Sequence, residues 1–396
     1  MIPWTKLALS PQNKGRIAEL DGLRAIAVLA VISFHYTIGT VWKNAITGLG
    51  WAGVDLFFVL SGFLITSILL ASRERPHYFS TFYARRTLRI FPIYYCLLVI
   101  YLLAAVAWGG PQSWTYWTMH ALYLSSVVAY FHGWLFQAPV FVYAGLAVLW
   151  SLSIEELFYL MWAPVVRWVR PARLWPLLAA VILTAPVLRF AIHTHAFPEY
   201  EFLPARFDSL AWGAALALLL RYRSNLQKLP QWLRGVGLSA GGAFALLALA
   251  TGGSRSNLWM ATFGYSLLAI AFAGLIGWTV LRAGSTAPLC RFLRLRPARQ
   301  LGTVSYTTYL IHYPALALVG AAATTWWGLQ LNGSVAGVFG RDLISLALAL
   351  LVAAASWRWL ESPLLQLKDH WKPAIGHVRE PARRPIRTVE AGTELS

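Results

Sequence analysis

Charge is scarce in this chain. Only 12% of its 396 residues are charged, while 58% are hydrophobic. An ordinary soluble domain carries roughly 25% charged residues, so a soluble globular protein of this length is excluded. Apolar runs near the ~20 residues needed to cross a bilayer recur along the sequence, which leaves a polytopic membrane protein. Acidic residues are scarcer still, 15 against 33 Lys and Arg, for a formal net charge of +18. Topology and anionic lipid account for that excess, and nucleic acid is not needed as a partner. Cysteine is nearly absent. Two are too few for a disulfide framework, and Cys96 and Cys290 both fall toward the expected cytoplasmic side, where free thiols persist. No small-residue cleavage site follows the first apolar run, which Glu19 and Asp21 precede, so that run is expected to remain as an anchor. No repeat of fixed period is found, and no soluble catalytic module is expected beside the membrane part.

What is present is a series of ten apolar segments, roughly at 21–40, 50–71, 90–108, 146–168, 174–193, 203–221, 233–251, 258–281, 301–325 and 338–360. The expected fold is therefore all-α, about ten transmembrane helices around a central channel. Basic residues stay cytoplasmic, and their alternation sets the orientation. Arg85, Arg86 and Arg89, the group from Arg282 to Arg299, and the basic C-terminal stretch all fall on one side. On the other side are only Lys43, Arg189, Arg206, Arg255 and Arg341, with Arg24 inside the first span. Both termini are then cytoplasmic. The expected organisation is a segment 1–20, a membrane domain 21–363, and a basic tail 364–396 too poor in apolar residues to fold alone. The segment 109–145 has no charge but many aromatics, among them Trp114, Tyr116, Trp117, Tyr123, Tyr130, Phe131, Trp134, Phe136, Phe141 and Tyr143. Its stretch from Trp117 to Phe131 is short for a span. It suits an interfacial or re-entrant helix roofing a cavity, or an aromatic belt at the headgroups.

Ionisable residues at membrane depth tend to face a protein interior or a watery cavity, because they cost roughly 2.5–3.5 kcal/mol each in lipid. His35 is the most informative of them. It follows Arg24 by eleven positions, so on a helix the two share one face about 16 Å apart. A packed histidine donating one hydrogen bond would look the same in sequence. Asp55, Glu155, Glu156, Arg206 and Asp208 fall, with His35, in the outer halves of four spans. Arg86 and Arg89 lie three apart at the cytoplasmic start of the third, a spacing suited to phosphate although the positive-inside rule alone would also place arginines there. Glu155 and Glu156 point about 100° apart, so they cannot serve one site together. Either could pair with Arg206. Asp55 could be solvated, and His312 could be a core hydrogen-bond donor. Jointly, anion-binding charge on one side and an acid/base set on the other suit transfer of a group from a cytosolic anionic donor to an outside acceptor.

The run Asp21-Gly22-Leu23-Arg24-Ala25-Ile26-Ala27-Val28-Leu29 leading to Phe34-His35 resembles the opening of the integral membrane acyltransferase family 3, bacterial O-acyltransferases of cell-envelope sugars. The resemblance continues in Gly53-Val54-Asp55 through Ser61-Gly62-Phe63, in Phe82-Tyr83-Ala84-Arg85-Arg86-Thr87-Leu88-Arg89-Ile90 and in Trp150-Ser151-Leu152-Ser153-Ile154-Glu155-Glu156. It extends to Arg206-Phe207-Asp208, to Ser305-Tyr306 through Leu310-Ile311-His312, and to Glu361-Ser362-Pro363. It implies a ten-span fold, acyl-CoA (usually acetyl-CoA) as donor, a catalytic role for His35, the Arg-x-x-Arg motif on Arg86 and Arg89, and the family glutamate on Glu155. The reading that follows is an O-acyltransferase of the bacterial inner (cytoplasmic) membrane. His35 serves as general base, with Glu155 or Asp55 fixing its tautomer. Arg86 and Arg89 hold the donor phosphates, with Arg24 as guide. Glu156, Arg206, Asp208 and His312 are acceptor-side or structural. A covalent acyl-histidine and direct attack both remain open. The partners expected are acyl-CoA, a carbohydrate or lipid-linked glycan acceptor, and membrane lipid; no metal is expected. The alternative is a proton-coupled transporter of a sugar-linked or anionic solute, with His35 and Glu155 as relay.

Overall fold

The structure, a computed structural model, describes residues 17–38, 40, 43–108, 113–128, 145–193, 198–223, 227–329, 331 and 334–370. Ten long helices fall on the ten expected segments. They are α1 Ala18–Thr37, α2 Gly53–Ser72, α3 Tyr78–Trp108, α4 Leu149–Trp168, α5 Pro171–Ile192, α6 Leu203–Arg223, α7 Leu229–Thr251, α8 Tyr265–Leu281, α9 Arg296–Trp327 and α10 Val335–Ser356. Proline in the first turn opens α5, α7 and α9, where no backbone N–H partner is lost. Gly252 and Gly328 close α7 and α9 in the left-handed conformation, with φ of 66° and 61°. One π-helical turn, Met260–Gly264, leads into α8, and a second, Trp357–Glu361, extends α10. The second turn brings Glu361 into the core, where it accepts from Thr307 Oγ1 at 2.5 Å and Ser356 Oγ at 2.9 Å.

Among the described residues, seven segments, built on α2, α3, α5, α6, α7, α8 and α10, are long and apolar enough to cross a bilayer. The other three long helices, α1, α4 and α9, carry His35, Glu155 with Glu156, and His312. α5, α7 and α10 are peripheral and expose Leu183, Val187, Leu246, Leu249 and Leu351, as lipid-facing helices do. α1, α2 and α6 form the centre: α1 packs against α9 and α2, and α2 against α6.

Lipid tails are as apolar as leucine, so burial alone does not hold such helices together; close approach of backbones and hydrogen bonds do. α2 and α6 meet at two glycines. A Cβ at Gly62 would run into the Leu210 carbonyl, and one at Gly213 into the Val59 carbonyl, so neither position accepts a larger residue without separating the pair.

Two boundaries differ from expectation. α3 begins at Tyr78 rather than near 90, so Arg85, Arg86 and Arg89 lie within the helix, Arg86 about 12 Å along it from Tyr78. Arg85 and Arg89 are exposed, and Arg86 is half-buried. The chain continues as helix from Ser362 to His370, where a tail was expected from 364. Of the aromatic segment, residues 113–128 are described. Trp114–Ala121 is helical, capped by Ser113, with Tyr116 and Trp117 buried. Tyr94 and Tyr95 of α3 tie it down by donating to the carbonyls of His120 (2.6 Å) and Ala121 (2.8 Å). The segment is folded into the protein at this end, as a re-entrant element would be. Tyr130, Phe131, Trp134, Phe136, Phe141 and Tyr143, the first sixteen residues and the tail from 371 lie outside the described residues.

Candidate active site

His35 stands in the last turn of α1 and is half-buried. Its Nδ1 is hydrogen-bonded to Nε2 of His312 on α9 at 2.8 Å. The two rings are nearly parallel, 24° apart, and meet edge to edge through this bond with centroids 5.0 Å apart; the Tyr313 ring lies against His35 at 4.9 Å. His312 is fully buried. Its Nδ1 donates to the Tyr309 carbonyl at 2.5 Å, and its own carbonyl accepts from Tyr36 Oη at 3.1 Å. Tyr309 Oη is held at 2.6 Å from Ser151 Oγ and 3.2 Å from the Val148 carbonyl, which joins α9 to the start of α4. His35 Nε2, by contrast, meets no hydrogen-bond partner among the described residues.

Neither carboxylate expected to orient His35 does so. Asp55 accepts from Arg206 Nη2 at 2.8 Å and from Ser209 Oγ at 3.1 Å, all three side chains being buried. Glu155 accepts from Ser61 Oγ at 2.9 Å and Tyr159 Oη at 3.0 Å. Both carboxylates already have donors from neighbouring helices, and the ring that reaches His35 is His312. Glu156 does not pair with Arg206; it accepts from Arg86 Nη2 at 2.8 Å, and that guanidinium lies 3.6 Å over the Tyr159 ring. Arg86 and Glu156 therefore connect the two layers that the sequence placed apart. Arg24 Nη1 is bonded to Asp21 at 3.0 Å, one turn back on α1.

Asp208 is the partner of an arginine that the sequence reading counted only as an outside charge. Arg189, fully buried in the last turn of α5, donates Nη1 and Nη2 to the two oxygens of Asp208 at 3.0 and 2.9 Å. It also donates to Ser266 Oγ at 2.7 Å and to the carbonyls of Ala205 and Thr262. A lone arginine inside the apolar run 174–193 was the available signal. Arg255 is the second residue missed. Read as a loop charge, it lies 4.5 Å over the Tyr200 ring and 5.5 Å over Phe34, near enough to interact electrostatically with His35. Tyr309 and Ser61 were within the quoted motifs but had no role assigned.

The site thus consists of a half-buried imidazole open at one nitrogen, an adjoining arginine, and a buried column of serine, tyrosine and carboxylate groups below it, in a multi-pass protein of the cytoplasmic membrane. Such a set can take up and return a proton within the helix bundle. The sequence profile of the acyltransferase domain family matches residues 17–358, and the chain belongs to this family. Among curated proteins it is similar to the peptidoglycan O-acetyltransferase OatA of Listeria monocytogenes, 28% identical over 370 residues, 88% of this chain and 56% of that protein. It is also similar to the putative peptidoglycan O-acetyltransferase YrhL of Bacillus subtilis, 30% identical over 382 residues, 89% of this chain and 55% of that protein. A third is the O-acetyltransferase OatA of Staphylococcus aureus, 27% identical over 367 residues, 87% of this chain and 56% of that protein. The chain therefore spans a little over half the length of these relatives. No solved structure matches.

Proposed function

We propose that this acyltransferase moves an acetyl group from cytosolic acetyl-CoA to a hydroxyl of a cell-wall carbohydrate on the far side of the membrane. The observation that carries the reading is His35: a histidine held by a buried partner and open at its other nitrogen, in a chain of the acyltransferase family. Its reference pKa near 6.5 suits a base that must be neutral before the reaction and charged after it.

His35 takes the proton of the acceptor hydroxyl as the hydroxyl oxygen attacks the thioester carbonyl. The new C–O bond forms, the C–S bond breaks, and the proton passes from the imidazolium to the leaving sulfur, so the ester and free CoA thiol account for all atoms. Orientation follows the basic residues: the Arg24 end of α1 faces the cytosol and the His35 end faces out. Arg89, exposed on the same helix, binds the donor phosphates, and Arg86, paired with Glu156, shapes the column through it. Arg24 lies on the donor's side of that column. Glu155, with Ser61 and Tyr159, lines the route between the two compartments. The relatives' names supply peptidoglycan as the acceptor class, a polymer with free sugar hydroxyls.

The test is purified protein in liposomes, supplied with radiolabelled acetyl-CoA and a soluble glycan acceptor, with thiol release and acceptor label both followed. His35→Ala in folded protein is expected to lose about 10²–10⁴-fold in both. Undiminished transfer by that variant overturns the assignment.

A further inference from the structure

We infer that His312 is a positioning residue that commits His35 to one tautomer, with Nδ1 protonated and Nε2 presented as the base. The inference rests on the reading of His35 as general base and goes beyond it by naming the nitrogen and what selects it.

The argument starts from a carbonyl. A backbone oxygen can only accept, so the 2.5 Å contact between His312 Nδ1 and the Tyr309 carbonyl requires the proton on Nδ1. A neutral imidazole has one N–H, so Nε2 of His312 then carries a lone pair. That lone pair faces His35 Nδ1 at 2.8 Å, and His35 Nδ1 must be the donor. The remaining nitrogen of His35, Nε2, is left with its own lone pair and no protein partner among the described residues. The chain of donors ends where a substrate hydroxyl can be met.

Packing holds this order in place. His312 is fully buried among α1, α4 and α9, anchored at its backbone by Tyr36 and next to a Tyr309 side chain fixed by Ser151. The bond to His312 and the near-parallel Tyr313 ring against it restrict rotation of the His35 ring. When His35 gains a proton at Nε2, its Nδ1–H bond to His312 becomes charge-assisted without any atom moving. A carboxylate orients the histidine in a serine-hydrolase triad; here a peptide carbonyl does so through an intervening imidazole. Protonated His312 would present Nε2–H to His35 and move the His35 proton to Nε2, abolishing the base, so the relay works only with His312 neutral.

The experiment compares His312→Leu, His312→Gln and His312→Asn in the liposome assay, with thermal unfolding of each purified protein recorded alongside. A glutamine can place its amide oxygen near the position of Nε2; the shorter asparagine cannot. His312→Leu is expected to lose about 10–100-fold in kcat with the KM for acetyl-CoA unchanged, as removal of an orienting partner does elsewhere. His312→Gln is expected to recover most of that loss and His312→Asn little of it. Should His312→Leu fail to fold, the Gln and Asn pair carries the comparison. Equal activity of Gln and Asn, or full kcat in His312→Leu, overturns the inference. If His35→Ala is inactive while His312→Leu is unimpaired, only the positioning role fails. If His35→Ala is active, the reading of His35 as base fails first.

Discussion

Two polar clusters at the same end of the helix bundle have opposite character. In one, Arg189 with Asp208 and Arg206 with Asp55 are fully buried and each charge meets its counter-charge across α2, α5 and α6, although Asp55 Oδ2 and the Arg206 Nε and Nη1 have no hydrogen-bond partner among the described residues. In the other, His35 and His312 form a neutral pair that is half-buried at one ring and leaves one nitrogen open. The first cluster has its charge neutralised within the protein and holds helices together. The second has a group left over for something that is not protein. What separates scaffold from chemistry here is whether charge is met by counter-charge inside the protein, as in the first cluster, or a titratable ring keeps a nitrogen for an outside group, as in the second.

The sharpest way to break that comparison is to open the closed cluster. Removing one member of a buried pair leaves the other charge uncompensated. Arg189→Leu or Asp208→Leu is expected to destabilise the protein by about 3–5 kcal/mol, measured by thermal or denaturant unfolding in detergent. The double replacement Arg189→Leu with Asp208→Leu removes both charges and is expected to be less destabilised than either single variant. If the double variant is worse than the singles, the cluster does more than pair charge.

Asp55 sharpens the comparison from the other side. It stands in a motif, lies near His35 in the order of spans, and was expected to orient the base, yet its oxygens face Arg206 and Ser209. Asp55→Asn keeps the shape and removes the charge. Because it leaves the buried Arg206 uncompensated, it is expected to lose about 3–5 kcal/mol of stability while turnover per folded molecule stays within about threefold of the wild type. Glu155→Gln is the counterpart within the column below His35. It keeps one acceptor for Ser61 and turns the other oxygen into a donor facing Tyr159, and is expected to lower turnover about 10–100-fold at a smaller cost in stability. Turnover that falls with Asp55→Asn and survives Glu155→Gln would reverse the assignment of the two carboxylates.

The helices were legible because apolar runs of bilayer length leave a strong local signal; α5, α6 and α7 lie within a few residues of the expected 174–193, 203–221 and 233–251. α3 was read short because Arg85, Arg86 and Arg89 look like a loop when only hydropathy is weighed. Of the site, His35 and His312 were visible as unusual residues, but their pairing spans 277 positions. No local periodicity encodes such a contact. The same limit hid the Arg86–Glu156 pair, 70 positions apart, and assigned Asp208 and Arg189 to separate roles. Identity was local and readable; partnership was tertiary and was not.

The smallest expected effects concern glycines, and they follow the same distinction between closed and open surroundings. Gly62 on α2 has the Leu210 backbone where a methyl group would go, so Gly62→Ala must push α6 away and is expected to cost about 1–3 kcal/mol through overpacking. Gly242 on α7 has no heavy atom within 4 Å of an added Cβ. There an alanine relieves the helix of a flexible residue, and Gly242→Ala is expected to leave stability unchanged or raise it by up to about 1 kcal/mol. Because Gly62 lies next to Ser61, whose hydroxyl donates to Glu155, the α2 variant is also expected to disturb turnover, while the α7 variant is not. Parallel unfolding and transfer measurements on the two variants check both parts. A Gly62→Ala protein as stable and active as Gly242→Ala would mean that the α2–α6 contact has room to give, and that the column beside it is not set by that contact.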